Sequence, residues 1–292
     1  MRIRWSIRSQ LLLLVLVVAV PLTSLMLYST YTGLQLEAEQ ARTSALNLAQ
    51  LTAAHVEQTL ADSESLLAQV AQRPFIQAMD PARCDPFLSE FTDLFPQYAG
   101  LGVVNLSGQP VCAANAPEPT ELPSIGDRPY FQQVIRTGAF TVSDVLLGRV
   151  NDTWVTVLAY PVHNEGSELV GALIMPIDLV RYQIGLGDVT LPAGSSITII
   201  NREGTVVARS LDPETWVGRN VRGTEIVDIV LASAAGTAQG RSLEGSDKLY
   251  GYTSIPRAGW YAYVGIPTDV AFASFQTLAF RQALLSLAII AL

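Results

Sequence analysis

The sequence contains few of the side chains on which catalysis and metal binding most often depend. Its 292 residues include two cysteines, two histidines and one lysine, Lys248. His55 and His163 are far apart, and neither has a carboxylate or a cysteine at metal-ligand spacing. There is no CxxC, HExxH or G-x-S-x-G motif, and two histidines offer no convincing Ser-His-Asp set. We therefore predict no metal, no cofactor and no enzymatic activity.

Positive charge is also scarce. The formal net charge is −8 and only 15% of the residues are charged, whereas a nucleic-acid-binding face is basic. Hydrophobic residues make up 49% of the chain, which is ample material for a packed core in one or two domains. The composition therefore excludes nucleic acid as a partner and indicates a folded chain.

One long hydrophobic run near the N-terminus predicts a membrane anchor. Almost every residue from Leu11 to Leu27 is apolar, and Arg2, Arg4 and Arg8 precede the run. Roughly 20 apolar residues span a bilayer, and cations stay on the cytoplasmic side. A cleaved signal peptide is the alternative, but it has a shorter apolar core and a small-x-small cleavage site. The predicted boundaries are a cytoplasmic segment at 1–9, a transmembrane helix at 10–31 and an extracytoplasmic region at 32–275.

A second apolar run covers the last ten residues, 283–292. Ten residues are too few to cross a bilayer, so the run is either the terminal helix of a soluble domain or the start of a second membrane helix. We favour a truncated transmembrane helix over 276–292, with an output domain beyond it. The two anchors together predict a protein of the cell membrane.

A long helix is predicted over residues 32–73. No proline occurs between Pro21 and Pro74, and apolar residues such as Leu34, Ala38 and Ala41 recur at spacings of three and four. About 40 residues at ~1.5 Å each reach roughly 60 Å. Such a helix either relays a displacement toward the membrane or serves as a structural spine, and the sequence favours neither.

Two hairpins of one design follow this helix. Asn105 and Asn201 are 96 positions apart, and each is followed three residues later by a glycine, Gly108 or Gly204, that suits a turn with positive φ. Two apolar segments, 169–178 and 260–269, both close on Pro-x-Asp. An internal repeat of this kind predicts two similar modules in tandem.

The predicted fold class is α+β, with a long N-terminal helix and two tandem modules that each have an antiparallel sheet flanked by helices. The first module (74–186) has a helix near 129–136 and strands near 139–142, 154–162 and 169–177. The second module (187–270) has a helix near 224–234 and strands near 237–242, 249–254 and 261–266.

The stretch from Asp127 to Gln133 is the strongest candidate for ligand binding. Asp127 is a good N-cap and Pro129 suits a first helical turn, so Arg128, Tyr130 and Phe131 lie at a helix start. One cation, two aromatic rings and two amides suit a small anionic or zwitterionic ligand.

These segments, taken together, resemble the double-Cache extracytoplasmic sensor domains of bacterial receptors. The residues that carry the resemblance, in an order and spacing typical of that family, are Cys84, Phe95–Tyr98, Asp127–Phe131, Gly148–Arg149, Leu158–Val162, Gly171, Asp178, Asn201–Gly204, Ala208–Arg209 and Trp216–Gly218. The resemblance implies two PAS-like modules, a ligand pocket in the membrane-distal first module, and a kinase, cyclase or chemoreceptor output domain. The expected partners are a small molecule, the membrane and a second copy of the chain.

The resemblance also implies residue roles. Arg128, Tyr130 and Phe131 match the group that holds a ligand carboxylate, and Asp178 matches a residue that holds an amine. Pro123 and Gly148 stand where the amino-acid-binding branch has a tyrosine and an aspartate. A carboxylate-bearing ligand is therefore favoured over a plain amino acid. Cys84 and Cys112, an isolated pair in an oxidising compartment, are expected to form a disulfide, and two buried free thiols are the alternative.

Each candidate also has a structural interpretation. Arg128 could pair with Asp127, Asp144 or Asp178. Asp178 could cap the segment that follows its strand, and one of Tyr130 and Phe131 is expected in the core because adjacent helix positions point in different directions. Trp154 and Tyr160 share one strand face and form either pocket wall or core.

The function predicted is the ligand-sensing region of a membrane receptor. A structural or protein-interaction ectodomain with a vestigial pocket is the alternative.

Overall fold

The computed structural model describes residues 7–96, 98–114, 122–150, 152–182 and 191–273. The helices in these ranges are α1 (Ile7–Ala71), α2 (Pro74–Gln77), α3 (Pro86–Leu94), α4 (Pro129–Thr137), α5 (Pro213–Trp216), α6 (Glu225–Ala232) and α7 (Thr268–Ala271). The strands are β1 (Gly102–Asn105), β2 (Pro110–Ala113), β3 (Thr141–Val142), β4 (Leu146–Leu147), β5 (Trp154–His163), β6 (Leu169–Asp178), β7 (Ser196–Ile200), β8 (Val206–Arg209), β9 (Ala235–Arg241), β10 (Asp247–Ile255) and β11 (Trp260–Pro267).

The strands form two antiparallel sheets with the same internal order. The first sheet runs β2-β1-β6-β5-β3, with β4 also paired to β5, and the second runs β8-β7-β11-β10-β9. Each sheet therefore places its leading hairpin (β1–β2 or β7–β8) at one side and a second, longer hairpin (β5–β6 or β10–β11) in the middle. The predicted α+β class with a long helix and two antiparallel sheets is confirmed.

The two leading hairpins have the same hydrogen bonds and the same glycine conformation in their turns. The side-chain oxygen of Asn105 accepts hydrogen bonds from the N–H groups two and four residues further on, and that of Asn201 does the same. Gly108 (φ 75°) and Gly204 (φ 81°) then take the left-handed position that closes each turn. Both hairpins have a bulge two residues before the asparagine. The asparagine and the glycine were thus valid signals of the repeat.

The repeat extends into the helices but not into the later strand ends. α4 and α6 begin 96 positions apart, with Arg128 and Thr224 as N-caps. Asp127, expected as the cap, instead pairs with Arg149. In the sheets, Ile174 pairs with Gly102 just as Tyr263 pairs with Thr198, so the two Pro-x-Asp motifs are out of register by two residues.

α1 connects the two sheets. It packs on β9, β10 and β11 of the second sheet and further along on β5 of the first. Gly251 of β10 allows the closest approach, because a Cβ atom there would lie 2.0 Å from the Leu46 nitrogen. Arg257, in the turn after β10, forms ion pairs with Glu57 and Glu64 of the helix. The helix is therefore held to the sheets by packing and by charge.

Within the described part of the chain, no helix combines the length and the apolar content that a membrane crossing requires. Three parts of the chain lie outside the described residues. They are the N-terminal residues 1–6, the side chains of residues 7–16 and the predicted second anchor at 276–292.

The segment after α1 is fastened to the first sheet. A disulfide joins Cys84 to Cys112 of β2, with the two Cα atoms 5.7 Å apart. The neighbouring Asp85 is buried, caps α3 by accepting from the Phe87 N–H, and receives a two-pronged contact from Arg73. The end of α1 is thereby linked covalently and electrostatically to β2.

Candidate functional site

The first module contains a cavity of about 300 Å³ on the face of its sheet that α4 covers. Its floor is formed by β1, β2, β5 and β6, and its rim by the segments before α4 and around β4. The residues that line it include Gly102, Ala113, Pro123, Arg128, Tyr130, Gly148, Arg149, Val157 and Ile174.

The cavity exists because small side chains stand where the sheet faces α4. Ala113, Gly102, Ile174 and Ala159 pair in turn across β2, β1, β6 and β5, and paired residues project to the same face of a sheet. Ala113, Gly102 and Ile174 of this row line the cavity, and two of these three residues are alanine or glycine, so the floor leaves room above it.

Arg128 brings an available guanidinium to the cavity. As the N-cap of α4 its side chain is free of the helix, and one Nη2–H donates to the Leu147 carbonyl at 3.2 Å. Among the described residues it forms no ion pair. A guanidinium has five N–H donors, so most of them remain for a ligand.

Arg149 is the second guanidinium at the cavity, and it is already paired. It donates to both carboxylate oxygens of Asp127, at 2.8 and 2.5 Å, and to the Ser124 carbonyl. This hydrogen bonding from Arg149 lowers the pKa of Asp127 below its ordinary value and raises that of Arg149. Asp127 thus fixes Arg149 rather than Arg128.

Tyr130 contributes a buried ring and a hydroxyl group. Burial raises its pKa, and the charges of Arg128 and Arg149 oppose part of that rise. All three residues line the cavity. Within the described residues this hydroxyl makes no hydrogen bond. It is therefore a neutral donor available beside two cations.

The other predicted site residues lie elsewhere. Phe131 is buried in the core between α4 and the sheet. Trp154 packs against Gly218 of the second module, and Tyr160 packs against the main core. Asp178 accepts from the N–H groups of Val180 and Arg181, so it caps the segment after β6. The structure thus brings Arg128 and Tyr130 together at the cavity, without these four.

Arg149 lines the cavity, although it is not among the site residues predicted from the sequence. Its signal was a cation directly after Gly148. Pro123 and Gly148 also line the cavity, so the two positions that depart from the amino-acid-binding branch belong to the site itself.

The chemistry of the cavity is cationic and largely apolar. None of its lining residues that the structure describes is acidic, and no group of histidine, cysteine or acidic side chains among the described residues could hold a metal ion. Such a site suits an anion, and the planar fork of arginine suits a carboxylate in particular.

The family of the chain follows from comparison with known proteins. The Cache domain family profile matches residues 34–275. The chain belongs to the Cache domain family, whose members are extracytoplasmic sensor domains and not catalysts.

Solved structures of sensor domains share this fold. The extracellular domain of rpHK1S-Z16, assigned as a histidine kinase, is 20% identical, with a TM-score of 0.66, over 79% of this chain and 96% of that one. The ligand-binding domain of the Pseudomonas fluorescens chemoreceptor CtaA with L-serine is 14% identical, with a TM-score of 0.63 over 79% and 99%. That of Campylobacter jejuni Tlp3 with L-valine is 13% identical, with a TM-score of 0.62 over 83% and 97%. A search of curated proteins gave no match.

Proposed function

We propose that this chain is the ligand-sensing region of a membrane signalling receptor and that its first module binds a small carboxylate-bearing molecule. The observation that carries the proposal is the Arg128 guanidinium, which lies in an apolar cavity of about 300 Å³ with most of its donors unused. In such surroundings a charge-assisted hydrogen bond is stronger than in water.

The composition of the cavity favours a carboxylate over a zwitterion. The solved relatives Tlp3 and CtaA bind L-valine and L-serine, which supports a ligand of that size. A zwitterion also needs an acceptor for its amine, and Gly148 stands where the amino-acid branch has a carboxylate. Asp127, which precedes Arg128 in the chain, is engaged by Arg149. An organic acid without a cationic amine is therefore the better fit.

A relay toward the membrane is supported by the way the cavity wall joins α1. Cys112 of β2 lines the cavity, its disulfide leads to Cys84, and the adjacent Asp85 holds Arg73 just after the helix. A shift of β2 on ligand binding would therefore pull on the end of α1. The helix carries that shift past the second sheet.

Membrane attachment belongs to the same proposal. The first half of α1 exposes large apolar side chains, including Val17 at 63%, Leu25 at 67% and Tyr31 at 65%, and such a surface needs lipid or a partner helix to cover it. We place the arginine-rich N-terminus in the cytoplasm and residues 32–275 outside. A second copy of the chain would pair through α1, and an output domain would follow the second anchor.

The test is a thermal-shift screen of the full chain in detergent against small carboxylic acids, amino acids and neutral amides. A ligand that binds only the native state raises Tm, so a rise with carboxylates supports sensing. No rise with any compound would favour a structural ectodomain with a vestigial pocket.

Arg128→Ala separates this site from any other. Losing a buried charge-assisted contact is expected to weaken carboxylate binding about 30-fold or more, or about 2 kcal/mol, by calorimetry. Arg136→Ala is the matched control, because Arg136 is exposed in the last turn of the same helix. Equal affinity in the two variants would show that Arg128 does not hold the ligand.

A further inference from the structure

The second module has charged and aromatic side chains where the first module has its cavity. Across β8, β7, β11 and β10 the paired residues are Arg209, Thr198, Tyr263 and Tyr252. They occupy the positions of Ala113, Gly102, Ile174 and Ala159 in the first sheet. The same face of the repeated fold thus carries a filled site instead of an open one.

Two cations are buried in this filled site. The Arg209 side chain is 1% exposed, and its Nη1 group donates to the Thr198 hydroxyl at 2.6 Å. Lys248 is 2% exposed, and its ammonium group donates to the Gly194 carbonyl at 2.9 Å and to the Ser196 hydroxyl at 3.2 Å. Two positive charges out of water require a nearby anion.

Glu244 supplies the anion from the tip of the hairpin between β9 and β10. Its carboxylate accepts a hydrogen bond from Arg209 Nη2 and lies 3.9 Å from the Lys248 ammonium group. Gly245, at φ 87°, helps to form the tight turn that presents it. The side chain keeps 29% of its surface exposed, so it enters the buried site from the solvent side.

The site also has donors that Glu244 does not use. Arg209 Nε and the Tyr263 hydroxyl are buried without a hydrogen-bond partner by distance and angle among the described residues, and Tyr263 pairs across the strands with Thr198, which accepts from Arg209. Apart from Glu244, every side chain named here is a cation or carries a hydroxyl group that can donate. The surroundings are therefore those of a carboxylate-binding site.

We propose that Arg209, Lys248 and Tyr263 form a carboxylate-binding site in the second module and that Glu244 is its resident, displaceable occupant. The site takes a short free monocarboxylate when the Glu244 side chain is absent or swings outward. The second module is thus held closed by its own carboxylate, whereas under the proposed function the first module binds an external one.

The test is rescue of Glu244→Ala by acetate. Replacing glutamate by alanine removes a CH₂–COO⁻ group, which acetate matches in size and charge. All proteins carry Arg128→Ala, so that the proposed ligand site of the first module cannot contribute. We expect Glu244→Ala to lower Tm by leaving Arg209 without its counter-ion, and about 100 mM acetate to recover roughly half of that loss through mass action.

The controls separate a site from a salt effect. Sodium chloride and acetamide at the same concentration should recover little, because neither offers a carboxylate. Asp247→Ala removes an exposed carboxylate of the same hairpin, 3.9 Å from Arg241, and its Tm should not respond to acetate. Glu244→Gln should also give no acetate response, because the amide fills the position.

Three results would overturn the proposal. They are an equal effect of acetate on all variants, no recovery of Glu244→Ala, and recovery by chloride as large as by acetate. If Glu244→Ala does not fold in chloride, refolding in acetate becomes the readout, and a chain that folds in neither salt contradicts the proposal.

Discussion

The two modules share one chain path and differ in what stands on one face of their sheets. The first sheet leaves about 300 Å³ above Ala113, Gly102 and Ile174, whereas the second fills the equivalent space with Arg209, Thr198 and Tyr263. The order of the five principal strands, the turn of the leading hairpin and the start of the helix that follows it are the same in both. The size of a few side chains on one face therefore determines which module has the cavity, while the strand order is unaffected.

The opposite faces of the two sheets differ as well. Gly251 lies in the second sheet where Leu158 lies in the first, since each is the residue before the one that pairs with Tyr263 or Ile174. α1 approaches the second sheet so closely that only a hydrogen atom fits at Gly251, while Leu158 is fully buried in the main core. The second module is thus the one on which the helix packs most closely.

The largest expected effect comes from breaking that attachment. A Cβ atom at Gly251 would lie 2.0 Å from the Leu46 nitrogen and 2.3 Å from the Ala45 carbonyl carbon, and backbone atoms of a helix cannot move aside singly. We expect Gly251→Ala to lower the free energy of unfolding by about 3 kcal/mol, measured by denaturant titration.

Gly100→Ala is the control, because an added Cβ there meets nothing within 4 Å. Equal stability of the Gly251→Ala and Gly100→Ala proteins would mean that α1 does not contact the second sheet as closely as the structure shows.

A smaller effect is expected at the ion pair between Arg73 and Asp85, which fastens the end of α1 to the first module. Hydrogen bonding from Arg73 holds the pKa of Asp85 below its ordinary value, although burial opposes this. A lowered folded-state pKa stabilises the protein above the unfolded value of about 3.9, and that contribution is lost as pH falls through the folded value. We expect Asp85→Asn to cost about 2 kcal/mol at pH 7 and progressively less below pH ~4, measured by denaturant titration at several pH values.

Asp247→Asn should change the free energy of unfolding little at any of these pH values, because Asp247 is exposed on the second module. A cost of Asp85→Asn that stays constant from pH 7 down to pH ~2 would show that the charge of Asp85 does not contribute.

Much of the fold could be predicted from the sequence, because its signals are local. Asn105 and Gly108 specify a turn through their own backbone preferences, and their repetition at Asn201 and Gly204 predicted the second module. The site was less predictable. The place of Arg128 at the cavity could be predicted because Arg128 lies at a helix start. The roles of Asp178 and Arg149 depend on which neighbours the tertiary fold brings near them. Asp178 caps its own chain, and Asp127 pairs with Arg149 22 residues away.

The smallest effect is expected when the first module is given one side chain of the second. Gly102 corresponds to Thr198, and it forms part of the cavity floor. A Cβ atom at Gly102 would make only ordinary contacts, 3.6 Å from the Cys112 carbonyl oxygen and 3.8 Å from the Ala113 Cβ, and a β-branched residue suits a strand. Gly102→Thr should therefore leave Tm within error of the wild type while its side chain occupies ligand space. We expect the affinity for the best carboxylate of the thermal-shift screen to fall about tenfold, or about 1.4 kcal/mol, by calorimetry. Unchanged affinity with an unchanged Tm would mean that the ligand does not rest on this floor, and the difference between the two modules would then have a cause other than the size of these side chains.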